Sequence, residues 1–214
     1  NNYTVGRLSR ELPNRSSLGG IVASREATGK LALSDDWNRT WGLDGRLGIA
    51  QYIDFRGFVA RTETPGMTAG ESAYNIRGEY KRVGGDFHAE YTEVDDDFNP
   101  EIGFLTRPDG YRNTDIGFFI RKRMPQPWLR ELRPHVSVRT FWDLDGFKET
   151  ETIHIDSHID FESGWYISPA FDIEYEGLKE PFEIADGVVI PPGNYRNLEA
   201  EWRFNTDQSR ALSL

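Results

Sequence analysis

Residues 164–177, GWYISPAFDIEYEG, alternate without a break between two kinds of side chain. Trp165, Ile167, Pro169, Phe171, Ile173 and Tyr175 fall on one parity; Tyr166, Ser168, Ala170, Asp172, Glu174 and Glu176 fall on the other. A period of two puts the sets on opposite faces of an extended strand, whereas an amphipathic helix repeats its apolar positions every three to four residues. From Trp165 to Tyr175 such a strand covers about 34 Å at about 3.4 Å per residue. Tilted by about 40°, it rises about 26 Å, close to the apolar band of an outer-membrane barrel. Strands of soluble sandwiches usually stop at about five or six residues.

The same alternation returns in SAYNIRGEYK, DFHAEYT, RPHVSVRTFW, ETIHIDSHIDF and NLEAEWRFN, and more weakly near 2–11, 18–26, 40–53, 57–64, 113–122 and 208–214. This gives about twelve strands. Tight turns are expected at LPNRSS, IDFR, RVGGD, FESG and NTDQS. Between them lie the long connections EATGKLALSDDWN, TETPGMTAGES, EVDDDFNPEIGFLTRPDGY and EGLKEPFEIADGVVIPPGN. Long and short connections take turns, so in an up-and-down meander every long loop falls on one rim and every tight turn on the other. Outer-membrane barrels have this asymmetry. Aromatic residues gather toward strand ends, with Phe161 and Trp165 beside one tight turn and Tyr74, Tyr91, Trp142 and Tyr175 toward the long loops. Two interfacial girdles give such a pattern.

The expected fold is therefore all-β: an antiparallel up-and-down meander of about twelve strands, forming an internal segment of a larger transmembrane β-barrel. Bacterial barrels begin and end on the periplasmic side. Closing this one calls for at least one strand before Asn1 and one after Leu214. The start, NNYTVGRLSREL, has no basic segment leading into an apolar core, so no secretory leader is read there. Pro169 is the detail that fits least, because it removes a ladder hydrogen bond in mid-strand.

Composition narrows the function classes. A net charge of -10 argues against nucleic acid, whose phosphates require clustered Lys and Arg. Cysteine is absent, which removes disulfides and thiolate metal sites. A mean hydropathy of -0.62 matches a soluble protein and equally a barrel, whose lumen and loops dilute the average.

Several residue groups carry candidate chemistry. Arg133, His135, Arg139, His154, Asp156, His158, Asp160, Asp172, Glu174, Glu199 and Glu201 share polar parity and are expected to line the lumen. Arg133 and Arg139 are expected to pair with the acids of the next strand. Residues at i and i+2 lie about 7 Å apart and can converge on one metal, but His154 and His158 are too distant to share an ion. Asp95, Asp97, Asn99 and Glu101 offer alternate oxygen ligands for Ca²⁺ in a loop, although Pro100 and Thr106 stand where an EF-hand needs Gly and Glu. Phe182, Ile184, Val188, Val189 and Ile190 make one long loop apolar; it is expected to plug or cap the barrel in preference to meeting a partner. No nucleophile elbow, zincin motif or phosphate-binding Gly loop appears, so no catalytic residues are assigned.

The runs NYTVGRLSRELPNRSSLGGI, NRTWGLDGRLGIAQY, GFVARTETPG, AEYTEVDDDFNPEIGFL, ELRPHVSVRTFWDLDGF and EPFEIADGVVIPPGNY resemble an uncharacterised bacterial envelope family. In that family a large C-terminal β-rich domain follows a carbohydrate-binding module similar to family 9. The resemblance covers nearly the whole chain and implies the outer membrane of a Gram-negative bacterium, with an upstream glycan-binding module. It supplies no catalytic residues. The expected partners are the lipid bilayer, glycans or oligosaccharides, and envelope proteins met through the long loops. The expected role is a channel or import component, or a membrane anchor. The alternatives are a soluble β-sandwich that binds carbohydrate and an outer-membrane hydrolase with a site at the loop rim.

Overall fold

A computed structural model describes residues 1–30, 32–67, 70–107, 109–207 and 209–210. Among them the chain forms strands and no helix. The first seven strands are β1 (Asn2–Leu12), β2 (Ser16–Glu26), β3 (Trp37–Ile49), β4 (Ile53–Glu63), β5 (Ser72–Arg82), β6 (Gly85–Val94) and β7 (Tyr111–Ile120). A two-residue β8 (Lys122–Arg123) precedes β9 (Leu129–Trp142), β10 (Lys148–Phe161) and β11 (Tyr166–Leu178). A short hairpin, β12 (Phe182–Ala185) and β13 (Val188–Ile190), leads into β14 (Gly193–Asn205).

One 12-stranded sheet has the order β1-β2-β3-β4-β5-β6-β7-β9-β10-β11-β14, with β8 beside β9; among the described residues β12 and β13 form a separate two-stranded sheet. The antiparallel meander expected from the alternation is the one formed. The sheet is not closed: β1 and β14 are its two edges among the described residues. Short connections at 13–15, 50–52, 83–84 and 162–165 take turns with long ones at 27–36, 64–71, 95–110 and 179–192, except that 121–128 is longer than the 143–147 connection that follows it.

Two compact units can be described separately: 1–79 with 90–113 and 143–145, and 80–89 with 114–142 and 146–214. In the first, the register sets Gly6 against Val22 and Leu8 against Gly20. It continues through Val22 against Trp41, and Leu43 against Val59. These apolar side chains form one face, and Leu8, Val22, Trp41, Leu43 and Val59 are all exposed. The covered groups of this unit include polar ones, Asn38 at 1% exposed and Thr62 at 0%, together with Ala23, Ala73, Val94, Phe98 and Tyr111. In the second unit Ile153 lies between Val138 and Ile173, and Ile155 between Val136 and Phe171. Leu198 and Trp202 extend the apolar row on β14. This row is likewise uncovered, with Leu198 at 69% and Trp202 at 68%.

Three expectations about strand ends change. The turn placed at IDFR lies earlier, at 50–52, and IDFR begins β4. Ala50 adopts φ 51°, a left-handed conformation that Gly or Asn would normally announce, so residue type carries little sign of the turn. The EPFEIADGVVIPPG connection contains the β12–β13 hairpin, closed at Gly187 with φ 77°. The strand expected at 208–214 falls largely outside the described residues; Ser209 and Arg210 lie in a turn and a bend.

Pro169 is accommodated by a local gap. Its partner on β14 is Trp202, and that ladder runs unbroken from Tyr166 to Leu178. On the β10 side the register passes from Asp156↔Ala170 to Ile159↔Ile167, leaving Ser157 and His158 paired to β9 but without partners on β11. The missing N–H of proline therefore falls between β10 and β11.

Candidate functional site

Strand parity and register assemble a histidine–carboxylate cluster on the polar face of the second unit. Asp156 of β10 sits opposite His135 of β9, and His154 sits opposite Asp172 of β11. His154 Nδ1 lies 2.6 Å from Asp172 Oδ1, and its Nε2 lies 3.5 Å from Asp156 Oδ2. His158 Nε2 lies 3.0 Å from that same Oδ2. Tyr166 OH lies 2.7 Å from His158 Nδ1. With Tyr166 donating to Nδ1, the His158 proton sits on Nε2 and is donated to Asp156. His135 Nδ1 approaches Asp156 Oδ1 at 3.4 Å, and the His135 and His154 rings are 5.5 Å apart.

Asp156 is the centre of this arrangement. Its side chain is 11% exposed, and its Oδ1 is buried without a hydrogen bond. A buried carboxylate oxygen left unsatisfied costs on the order of 1–3 kcal/mol. The gap in the β10–β11 ladder opposite Pro169 adjoins it in sequence at Ser157 and His158.

A second cluster lies within the same unit. His88 Nε2 is 3.0 Å from Asp115 Oδ1, and Arg139 Nε donates to Asp115 Oδ2 at 2.7 Å. Gly117 leaves room for the His88 ring, because a Cβ there would strike it. A cavity of about 310 Å³ is lined by Asp86, His88, Gly117, Phe119, His135 and His158, so it borders both clusters.

The other expected face residues divide. Arg133 pairs with Asp160 at 2.6 Å, as the cross-strand reading expects. Arg139 does not join the acids of β10; its partner is Asp115 on β7. Glu201 is held by Arg203 on its own strand at 2.6 Å, and Glu199 accepts from Asn197. Glu174 is exposed beside Asn197 in the register. These three glutamates stand outside the histidine cluster.

The residues of the expected calcium loop are directed to separate partners. Asp95 accepts from the Ser72 N–H, Asn99 bonds Thr62 and Asn38 through its backbone, and Glu101 pairs with Arg25. Among the described residues, the group of three or more His or carboxylate side chains close enough to share an ion is His135, His154 and Asp156. Phe182, Ile184, Val188 and Val189 remain exposed on the β12–β13 hairpin, and Ile190 is half-buried.

Sequence reading named His135, His154, Asp156, His158 and Asp172 but missed Asp115 and Tyr166. Both lie on polar parity, which was the available signal. Only the register showed which strand each one faces. Comparisons with protein-family models, with curated proteins and with solved structures give no match.

Proposed function

We propose that this chain is part of an outer-membrane β-barrel of a Gram-negative bacterium. In this reading the face bearing Val136, Ile155, Phe171, Ile173 and Trp202 meets lipid, and the histidine–carboxylate face lines a watery interior. The observation that carries it is the uncovered apolar face: long rows of large apolar side chains are exposed, while the covered groups include the polar Asn38, Thr62, Asp115 and Ser168 beside the apolar Val94, Phe98 and Leu129. Apolar burial contributes about 25 cal/mol per Å² and is the main force holding a water-soluble fold together. Exposed rows of this length draw that contribution only from a cover outside the chain. Bilayer hydrocarbon is such a cover, provided every strand edge is paired. The β1 and β14 edges then require further strands, from the same protein or another copy.

Dimensions and aromatic placement support the reading. The strands of the main sheet, β8 aside, are 10 to 14 residues long, enough to cross hydrocarbon at a tilt. Three aromatic pairs lie at strand ends, Trp128 on Phe161 at 6.1 Å, Trp165 on Phe204 at 5.3 Å and Tyr74 on Tyr91 at 6.0 Å, while Phe171 and Trp202 meet in mid-strand. The family resemblance adds glycan binding. On that basis the role is a channel, import component or anchor that admits or holds oligosaccharide along a charged lumen, with no covalent step.

The test is extraction of the full-length protein from a Gram-negative host. It is expected to stay with membranes through a carbonate wash, to leave them only in detergent, and to conduct in a planar bilayer when its lumen is open. Recovery of folded protein in the aqueous fraction without detergent would sink the reading and favour a soluble carbohydrate-binding domain.

A further inference from the structure

The His135–His154–Asp156 cluster has a feature that a simple polar wall does not need. The hydrogen bond to Asp172 fixes the His154 proton on Nδ1 in the neutral ring, which turns the Nε2 lone pair toward Asp156 Oδ2 at 3.5 Å. The second oxygen of the same carboxylate, Oδ1, is buried without a donor and lies 3.4 Å from His135 Nδ1. Two imidazoles and a carboxylate oxygen without a hydrogen bond thus converge around one point.

We propose that His135, His154 and Asp156 bind a divalent transition-metal ion of the zinc class. The donor set is two imidazoles and one carboxylate, which suits Zn²⁺ and neighbouring first-row ions and is poor for Ca²⁺ or Mg²⁺. One ligand atom from each residue lies within 4.8 Å of the others. Two atoms bound to one zinc ion at about 2.1 Å lie at most about 4.2 Å apart, so binding draws the half-exposed rings inward by roughly an ångström.

The surrounding groups match what metal ligands usually carry behind them. Asp172 accepts from His154, as a carboxylate typically does from the far nitrogen of a ligating histidine. Tyr166 and His158 form a donor chain that ends on Asp156 Oδ2, leaving Oδ1 for the ion. His135 also borders the cavity of about 310 Å³, so coordination positions beyond the three protein ligands have space for water or a small anion. The chelate crosses the β9–β10 ladder and so clamps two strands together. Its ligands come from adjacent strands of one sheet, and the inference stands whether lipid or water covers the opposite face.

The experiment is a Co²⁺ titration of the full-length protein after treatment with chelator, read by visible d–d absorption and repeated with Zn²⁺ as competitor. The expected result is one Co²⁺ per chain, displaced by Zn²⁺. His135→Gln and His154→Gln should each abolish the signal. Asp172→Asn should weaken binding by about 10–100-fold through loss of the orienting carboxylate. His88→Gln lies outside the set and should leave binding unchanged. Far-UV circular dichroism of each variant separates lost ligands from lost folding. Absence of Co²⁺ uptake by the wild-type protein overturns the proposal, as does unchanged affinity in folded His135→Gln and His154→Gln variants.

Discussion

In β1–β4 the polar face is held by guanidinium–carboxylate pairs, Arg7 with Asp44 at 2.9 Å and Arg46 with Asp54 at 2.6 Å. In β9–β11 the equivalent face is held largely by imidazoles around half-buried carboxylates, His154 and His158 with Asp156 and His154 with Asp172. All four histidines, His88, His135, His154 and His158, belong to the second unit. The apolar faces do not differ in this way: rows of Leu, Val, Ile and aromatic side chains are left uncovered in both units. The contrast separates two jobs. The apolar face needs only to be greasy along its length, so any large aliphatic or aromatic residue serves. The polar face carries the individuality of each unit, because arginine stays charged at every physiological pH whereas histidine can hold a proton or a metal.

The strongest way to break this comparison is to charge the middle of each apolar row. Ile155→Lys and Val59→Lys lie near the centres of β10 and β4, and both native side chains are exposed. With hydrocarbon covering both rows, each substitution is expected to cost about 2–4 kcal/mol in folding titrations in lipid vesicles. If water covers either row, its lysine variant should stay within about 0.5 kcal/mol of wild type. A cost in only one unit would show that the two rows meet different environments.

A smaller effect comes from closing space at glycines. A Cβ at Gly48 would run into the Asn14 carbonyl oxygen, part of a tight backbone turn in which Asn14 and Arg15 adopt φ 60° and 61°. Backbone cannot swing aside, so Gly48→Ala is expected to cost about 1–3 kcal/mol in the same titration. At Gly117 the obstacle is the His88 ring. Gly117→Ala should cost less than Gly48→Ala, because the imidazole can rotate away from Asp115. Loss of the His88–Asp115 hydrogen bond should then appear as a changed His88 ring signal in NMR.

The smallest expected difference lies between two aspartates. Asp115 is buried and satisfies both His88 and Arg139, so Asp115→Asn should destabilise by about 1–3 kcal/mol. Asp44 and its Arg7 partner are substantially exposed, and Asp44→Asn should cost about 0–1 kcal/mol. Equal costs would mean that covering the polar face adds nothing to its pairs.

Much of this was legible along the chain because a strand's side-chain period is two. The row Ile153, Ile155, Phe171 and Ile173 could be placed on one face before any neighbour was known, and the register later set Ile153 against Ile173 and Ile155 against Phe171. Turns written in glycine or asparagine, such as FESG and LPNRSS, were equally readable. The turn at 50–52 was not, because Ala50 carries no chemical mark of its left-handed backbone. Arg139 shows the same limit for side chains. Parity placed it on the polar face, but its long side chain could reach either neighbouring strand, and it reaches β7.

Sequence alone thus determined the strands, their two faces and the alternation of long and short connections, since these depend on residue type and spacing within a few positions. The tertiary structure decided which carboxylate each cation meets, where the ladder opens beside Pro169, and that Asp156 sits among His135, His154 and His158 with one oxygen unsatisfied. Those outcomes follow from register across strands. A shift of two residues preserves every face and exchanges every neighbour, so local chemistry has no means of specifying it.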